Sequence, residues 1–370
     1  MDAAGILPKD VDSQSRSEEL GLVDLQKSIP VEYGNPSEAR SWWTLFRVLL
    51  CIASCLGLLS LVEIGSGWQL LWQVPALAVL WVVYGMVLVG LFVVGHECGH
   101  YSFSRHRWVN NVIGHLVMAP IMNGLQTWRV THDHHHRHTQ LRGQEVDWAA
   151  HLVTREEYGK LTWRKNFLTK LGYKIPYGIF IWISMNTIRR GFFIRNMLGP
   201  EKFRKEKGKI LGSNMLMLLV TASVYGAWWY TTGFLGMMKY HGIPAFIAAA
   251  FGCIIVTIQH ANEYTLVYSK KGWSPVRGQL VSTFDVRFPR WIEWLWCDIT
   301  IHIPHHVLPG IPWYHLRKAG RALRGAFPKY YQEYPFRFRD FGWAKKAPFL
   351  EESKEKGFYE MDIPHTRRAG

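Results

Sequence analysis

Along the chain, long apolar blocks alternate with polar, basic stretches. Residues 1–40 are polar and mixed in charge, with no apolar core of a signal peptide. They read as a partly disordered leader on the cytosolic side. A helix needs about 20 mostly apolar residues to cross the hydrocarbon core of a membrane. Four blocks meet that need, at residues 45–65, 68–94, 213–232 and 244–259, and the Gly65-Ser66-Gly67 turn makes the first two a helical hairpin. The apolar run at 178–185 is too short to span and reads as a helix lying in the interface.

This pattern predicts an all-α membrane protein of about four transmembrane helices. The expected organisation is a leader (1–40), a membrane domain (41–345) and a polar C-terminal tail (346–370). No internal repeat or long linker divides the chain.

Charge supplies the orientation. Lys and Arg number 43 against 28 Asp and Glu, a net charge of +15. They crowd residues 105–170, 189–209 and the region after 270, while the short turn after the first block has none. By the positive-inside bias, both termini and these segments face the cytosol. Cys51, Cys55, Cys98, Cys253 and Cys297 form no CxxC pair, which argues against a disulfide framework or a thiolate zinc site.

All dense histidine clusters fall in the segments assigned to the cytosol. In GHECGH, His96 and His100 stand four apart and share one helix face just past the second block. In WRVTHDHHHRHT, His132, His135 and His136 share a face, with His134 and His138 off it. HIPHH repeats the HxxHH spacing in His302, His305 and His306, and its Pro304 suits a first turn or a kink. Eight imidazoles are too many for one ion, so two metals share them. His260, at the cytosolic end of the fourth block, is the candidate ninth ligand. His106, His115, His151, His241, His315 and His365 have no partner at ligand spacing and read as solvated or structural.

Imidazole serves zinc, copper, iron and nickel alike. HECGH is also a literal HExxH, which would make Glu97 the general base of an intramembrane zinc protease, but that reading leaves six well-spaced histidines unused. A metal transporter would carry polar or histidine side chains within its spans, and these have almost none.

At these residues the chain resembles the membrane fatty acid desaturases, a family marked by HxxxH, HxxHH and HxxHH boxes in this order. The resemblance runs over residues 81–317, and FVVGHECGHYSF, RWVNNVIGH, WRVTHDHHHRHT and HIPHHVLPGIPWYHLR look most like the acyl-lipid Δ12 (omega-6) desaturases of cyanobacteria and plastids. It implies a helical membrane domain under a cytosolic helical cap that holds two irons. By that likeness His96, His100, His132, His135, His136, His302, His305 and His306 are ligands, joined by His260. It also implies O2-dependent removal of two hydrogens from an acyl chain, carried on a lipid or as an acyl thioester, giving a cis double bond and water with two electrons from outside.

The sequence departs from the relatives' pattern at Glu97, where they usually have Asp, in HANEYT, which lacks their Pro-containing segment, and in QEVDWAA, a loose match. Trp128 and Trp148 are candidates for lining an acyl tunnel. With no HPGG stretch and no GxGxxG, the donor must be a separate protein, and the basic face suits an acidic ferredoxin and anionic lipid headgroups equally. The basic, aromatic stretch 189–209 reads as interfacial and not as a nucleic-acid patch. The rival chemistry is oxygen insertion by a related hydroxylase, ketolase or alkane oxygenase.

Overall fold

The computed structural model describes residues 20–63, 65, 67–146, 152–178, 201–262, 265–337, 342, 345–353 and 357–362. Trp148, His151, His365, nearly all of the run 178–185 and most of 189–209 lie outside the described residues. The helices, in chain order, are α1 (Leu22–Lys27), α2 (Glu38–Ser60), α3 (Leu70–Gly99), α4 (Arg107–Met118), α5 (Leu125–His138) and α6 (Arg155–Lys160). They continue with α7 (Trp163–Lys174), α8 (Lys207–Met237), α9 (Ile243–His260), α10 (Arg290–Leu295), α11 (Ile303–Val307) and α12 (Trp313–Ala326).

Among the described residues, three helical segments are long and apolar enough to cross a membrane: Glu38–Ser60, Gly67–Gly99 and Phe203–His260. Their outward faces are apolar, with Leu71, Val79, Leu219 and Phe246 all exposed. A polar solvent would leave those side chains without compensation, whereas lipid tails cover them at no cost.

The third segment is a single helical run where the sequence suggests two blocks with a loop between them. Its geometry breaks at Gly233, whose φ of 71° and ψ of 178° lie outside the helical region. Beyond the break, the Trp228 ring stacks on Tyr240 at 4.9 Å and Tyr225 meets His241 at 4.8 Å. In an unbroken helix, residues 228 and 240 would stand about 18 Å apart, so the chain folds back on itself here. Glycine at 233 permits this because it has no Cβ to clash at positive φ.

α3 and α9 run side by side in the same direction. The Trp81 indole donates to the Lys239 carbonyl at 2.9 Å, and a Cβ on Gly85 would fall 2.5 Å from Ile247. Both helices therefore deliver their C-terminal histidines to one place.

The fold is mostly helical but not purely so. A three-stranded sheet has the order β1-β5-β4, from Leu266–Tyr268, Phe358–Met361 and Leu350–Ser353, and β2 (Asp285–Arg287) pairs in parallel with β3 (Glu333–Pro335). Residues assigned to the polar tail supply β4 and β5, held by burial of Leu350, Phe358 and Met361. Within the leader, α1 buries Leu25 and Ile29 in a cluster with Ile303, Val307 and Leu316, directly beneath the third histidine box.

Candidate metal centre

The first and second histidine boxes close α3 and α5, and the third begins and fills α11. α3 ends in a turn closed by Tyr101 in the left-handed region (φ 59°), with the Tyr101 amide bonded to the Cys98 carbonyl and the Ser102 amide to the Glu97 carbonyl. This two-bond cap satisfies the last carbonyls and locks His96 and His100 into the final turn. The Arg129 guanidinium reaches across from α5 and donates to the Gly99 carbonyl at 2.8 Å and the Cys98 carbonyl at 3.1 Å. At the third box, the buried Asp285 carboxylate accepts from the amides of His302 at 2.7 Å and Ile303 at 2.8 Å. It thereby caps a five-residue helix that has no capping side chain of its own.

All nine predicted histidines come together. His96, His100, His132 and His305 form one group and His135, His260 and His306 a second; within each, the ligand nitrogens all lie within 4.8 Å of one another. His136 and His302 lie against these groups, with His136 Nε2 3.1 Å from His132 Nε2 and His302 Nε2 3.0 Å from the Nε2 atoms of His260 and His306.

These spacings fit a metal. Nitrogens bound about 2.1 Å from one ion at right angles stand about 3.0 Å apart. His135 Nδ1 is 2.8 Å from Glu145 Oε1 and His306 Nδ1 is 2.7 Å from Gln279 Oε1. Each oxygen accepts a hydrogen bond from Nδ1–H, so Nε2 presents a lone pair to the centre. His100 Nε2 and His305 Nε2 are buried with no hydrogen-bond partner, which a cation would supply. Burial, reinforced by the surrounding imidazoles, pushes His100, His132, His136, His302, His305 and His306 well below the usual histidine range. They are thus neutral at neutral pH, the form that binds metal.

Off-face histidines stay off. His134 and His138 stack on each other at 4.1 Å, and His134 Nε2 meets the Gln144 carbonyl at 2.8 Å. His115 meets the Asn111 carbonyl and the Ser213 hydroxyl, His241 the Pro120 carbonyl, and His315 stacks on Tyr33. Trp128 lies on His132 at 4.3 Å and 5.0 Å from His96, so it forms one wall of the first group.

Glu145, Gln279, Asp285 and Arg129 were not picked out as site residues from the sequence. Only Glu145 carried a local signal, a carboxylate ten residues after His135. The others arrive through long-range packing.

The wall is tight enough to test. A Cβ on Gly99 would lie 2.1 Å from the Trp128 ring. Gly99→Ala therefore drives the indole toward His132, at a cost of about 1–3 kcal/mol of overpacking. Metal analysis of the purified variant is expected to show the first group depleted, with the fold retained by circular dichroism.

Residues 71–338 match the family model described as Fatty acid desaturase. The sn-1 oleoyl-lipid 12-desaturase of Picosynechococcus sp. is 31% identical, the alignment covering 86% of this chain and 86% of that protein. That of Anabaena variabilis is 28% identical over 96% of this chain and 94% of its own length. A chloroplastic omega-6 fatty acid desaturase of Glycine max is 27% identical over 87% of this chain and 72% of its length. The matched stretch contains every histidine of the two groups, and the chain belongs to the fatty acid desaturase family of oxidoreductases.

Proposed function

We propose that this enzyme removes two hydrogens from a lipid-bound acyl chain and leaves a cis double bond at the Δ12 (omega-6) position. The observation that carries the reading is the convergence of two separate histidine groups at the ends of apolar helices. His96, His100, His132 and His305 hold one iron, His135, His260 and His306 the other, and His136 and His302 complete the sets. Two irons so held supply the O2 activation that breaking an unactivated C–H bond requires. The balance is two hydrogens from the chain, two electrons and two protons from outside, and O2 leaving as two waters.

The chain's own residues supply the rest. Neutral, buried imidazoles bind without first losing protons, and Trp128 shields the first group and lines the path of the acyl chain. Glu97 is buried and accepts from the Trp313 amide at 2.9 Å, so it is committed to packing, which weighs against its use as a protease base. The run Phe203–His260 crosses the membrane twice, folded at Gly233, which gives four spans with both termini and the histidines on the cytosolic side. The electrons come from a separate acidic carrier of the ferredoxin type. A relative from Nostoc sp., 26% identical, is an sn-1 acyl-lipid omega-3 desaturase (ferredoxin), which supports that choice of donor and keeps the double-bond position an outcome of the test.

The test is the fatty-acid profile of cells supplied with a ferredoxin and expressing the intact protein, read by gas chromatography with double-bond localisation. A His135→Ala, His136→Ala form serves as control. A new Δ12 double bond that vanishes in the control is expected. Hydroxylated or keto products in its place would overturn the reading in favour of oxygen insertion.

A further inference from the structure

Gln279 lies in SPVRGQLVS, far from any histidine box in sequence, yet it is buried between two of them. Its Oε1 accepts from His306 Nδ1 at 2.7 Å, and its Nε2 donates to the backbone carbonyl of His136. One amide thus holds the third box with its acceptor and the second box with its donor. Only a side chain with both functions can do this, because a carboxylate has no hydrogen for the His136 carbonyl and an amine has no acceptor for the imidazole. The donor bond also fixes which way the amide points, so the oxygen must face His306. The remaining acceptor near His306 Nδ1, the Thr139 hydroxyl, is farther away at 3.3 Å and donates its own proton to the His135 carbonyl at 2.8 Å.

We propose that Gln279 is a positioning residue that fixes the tautomer of His306 and ties the second box to the third. It thereby sets how firmly the His135, His260 and His306 group holds its ion. This rests on the reading of that group as an iron site. The same group has an internal contrast: His135 is backed by the Glu145 carboxylate and His306 by the neutral Gln279 amide. A carboxylate makes the ring it backs a stronger donor to the metal. The amide therefore leaves His306 the weaker donor of the two.

The experiment uses the full chain in detergent, loaded with 57Fe, as wild type, Gln279→Leu and Gln279→Glu. Readouts are iron retained per chain against a chelator series and the Mössbauer spectrum. Wild type is expected to hold two irons. Gln279→Leu is expected to release one of them at a chelator concentration about 10–100-fold lower, the usual range for losing such a partner. Gln279→Glu keeps the acceptor for His306 but gives up the donor to the His136 carbonyl. It is expected to release one iron at a chelator concentration between those of wild type and Gln279→Leu, with the quadrupole splitting of that iron shifted, since His306 is then backed as His135 is. Wild-type retention in Gln279→Leu, or a wild-type spectrum in Gln279→Glu, overturns the assignment while leaving the iron site standing. If Gln279→Leu does not survive purification, the spectrum of Gln279→Glu decides alone. A wild-type chain that holds no iron overturns the iron site and this assignment together.

Discussion

His305→Ala is expected to abolish desaturation, with product formation falling more than about 100-fold and one iron lost per chain. His305 is chosen because its ring is the meeting point of the first group, 4.5 Å from His96, 4.9 Å from His100 and 4.7 Å from His136. Its Nε2 is buried without a partner, so removing the ring leaves an incomplete donor set. The informative control is His134→Ala, on the same helix as His132 and His135 but turned away from both groups toward the Gln144 carbonyl. That variant is expected to keep both irons and most of its activity. Parallel metal analysis and acyl-chain profiling check both. Equal loss in the two variants would mean that the histidine-rich stretch acts through helix stability and not through the geometry of its inner face.

The histidines were legible in the sequence because metal ligands on a helix must repeat at three and four residues, and little else imposes that spacing so often in one chain. The same rule set His134 and His138 aside. Hydropathy likewise marked where the long helices lie, since lipid demands an unbroken apolar run. What it placed differently was the stretch around Lys239, expected as a loop from the gap between the apolar blocks at 213–232 and 244–259. There the helical run continues, because Lys239 Nζ donates to the Val62 carbonyl at 2.7 Å and Tyr240 stacks on Trp228.

Strands of three or four residues carry too little alternation to be seen, and Leu266–Tyr268 pairs with a partner about ninety residues away. The residues behind the histidines are hidden for a related reason. Asp285 and Gln279 touch box histidines 17 and 27 positions distant, through a tertiary fold that no local pattern encodes. One polar residue, Asp285 at the start of β2 or Gln279 in a short helical turn, is the only trace they leave.

Arg129 is where that hidden layer is expected to matter most for stability. It is buried, and its guanidinium serves four acceptors: the Gly99 and Cys98 carbonyls at the end of α3, Asn111 Oδ1 on α4 at 3.0 Å, and Gln126 Oε1 on its own helix at 3.1 Å. It also lies over the Tyr101 ring at 4.3 Å, the residue whose left-handed conformation ends α3. A cation at a helix C-terminus is favoured by the helix dipole, and a planar guanidinium alone has enough donors in fixed directions to reach carbonyl and amide acceptors on three helices. Arg129→Met leaves the buried Gly99 carbonyl unpaired and the Cys98 carbonyl with only the Tyr101 amide, a loss of roughly 1–3 kcal/mol. Because those carbonyls belong to the turn that carries His100, the first box loosens and iron retention should fall with stability. Arg129→Lys restores the charge but not the fork, so it is expected to recover only a minor part of either. Thermal unfolding in detergent, read beside iron per chain, checks this. If the lysine variant matched wild type in both, charge at the helix end would suffice, and the guanidinium would not be what joins the first box to the second.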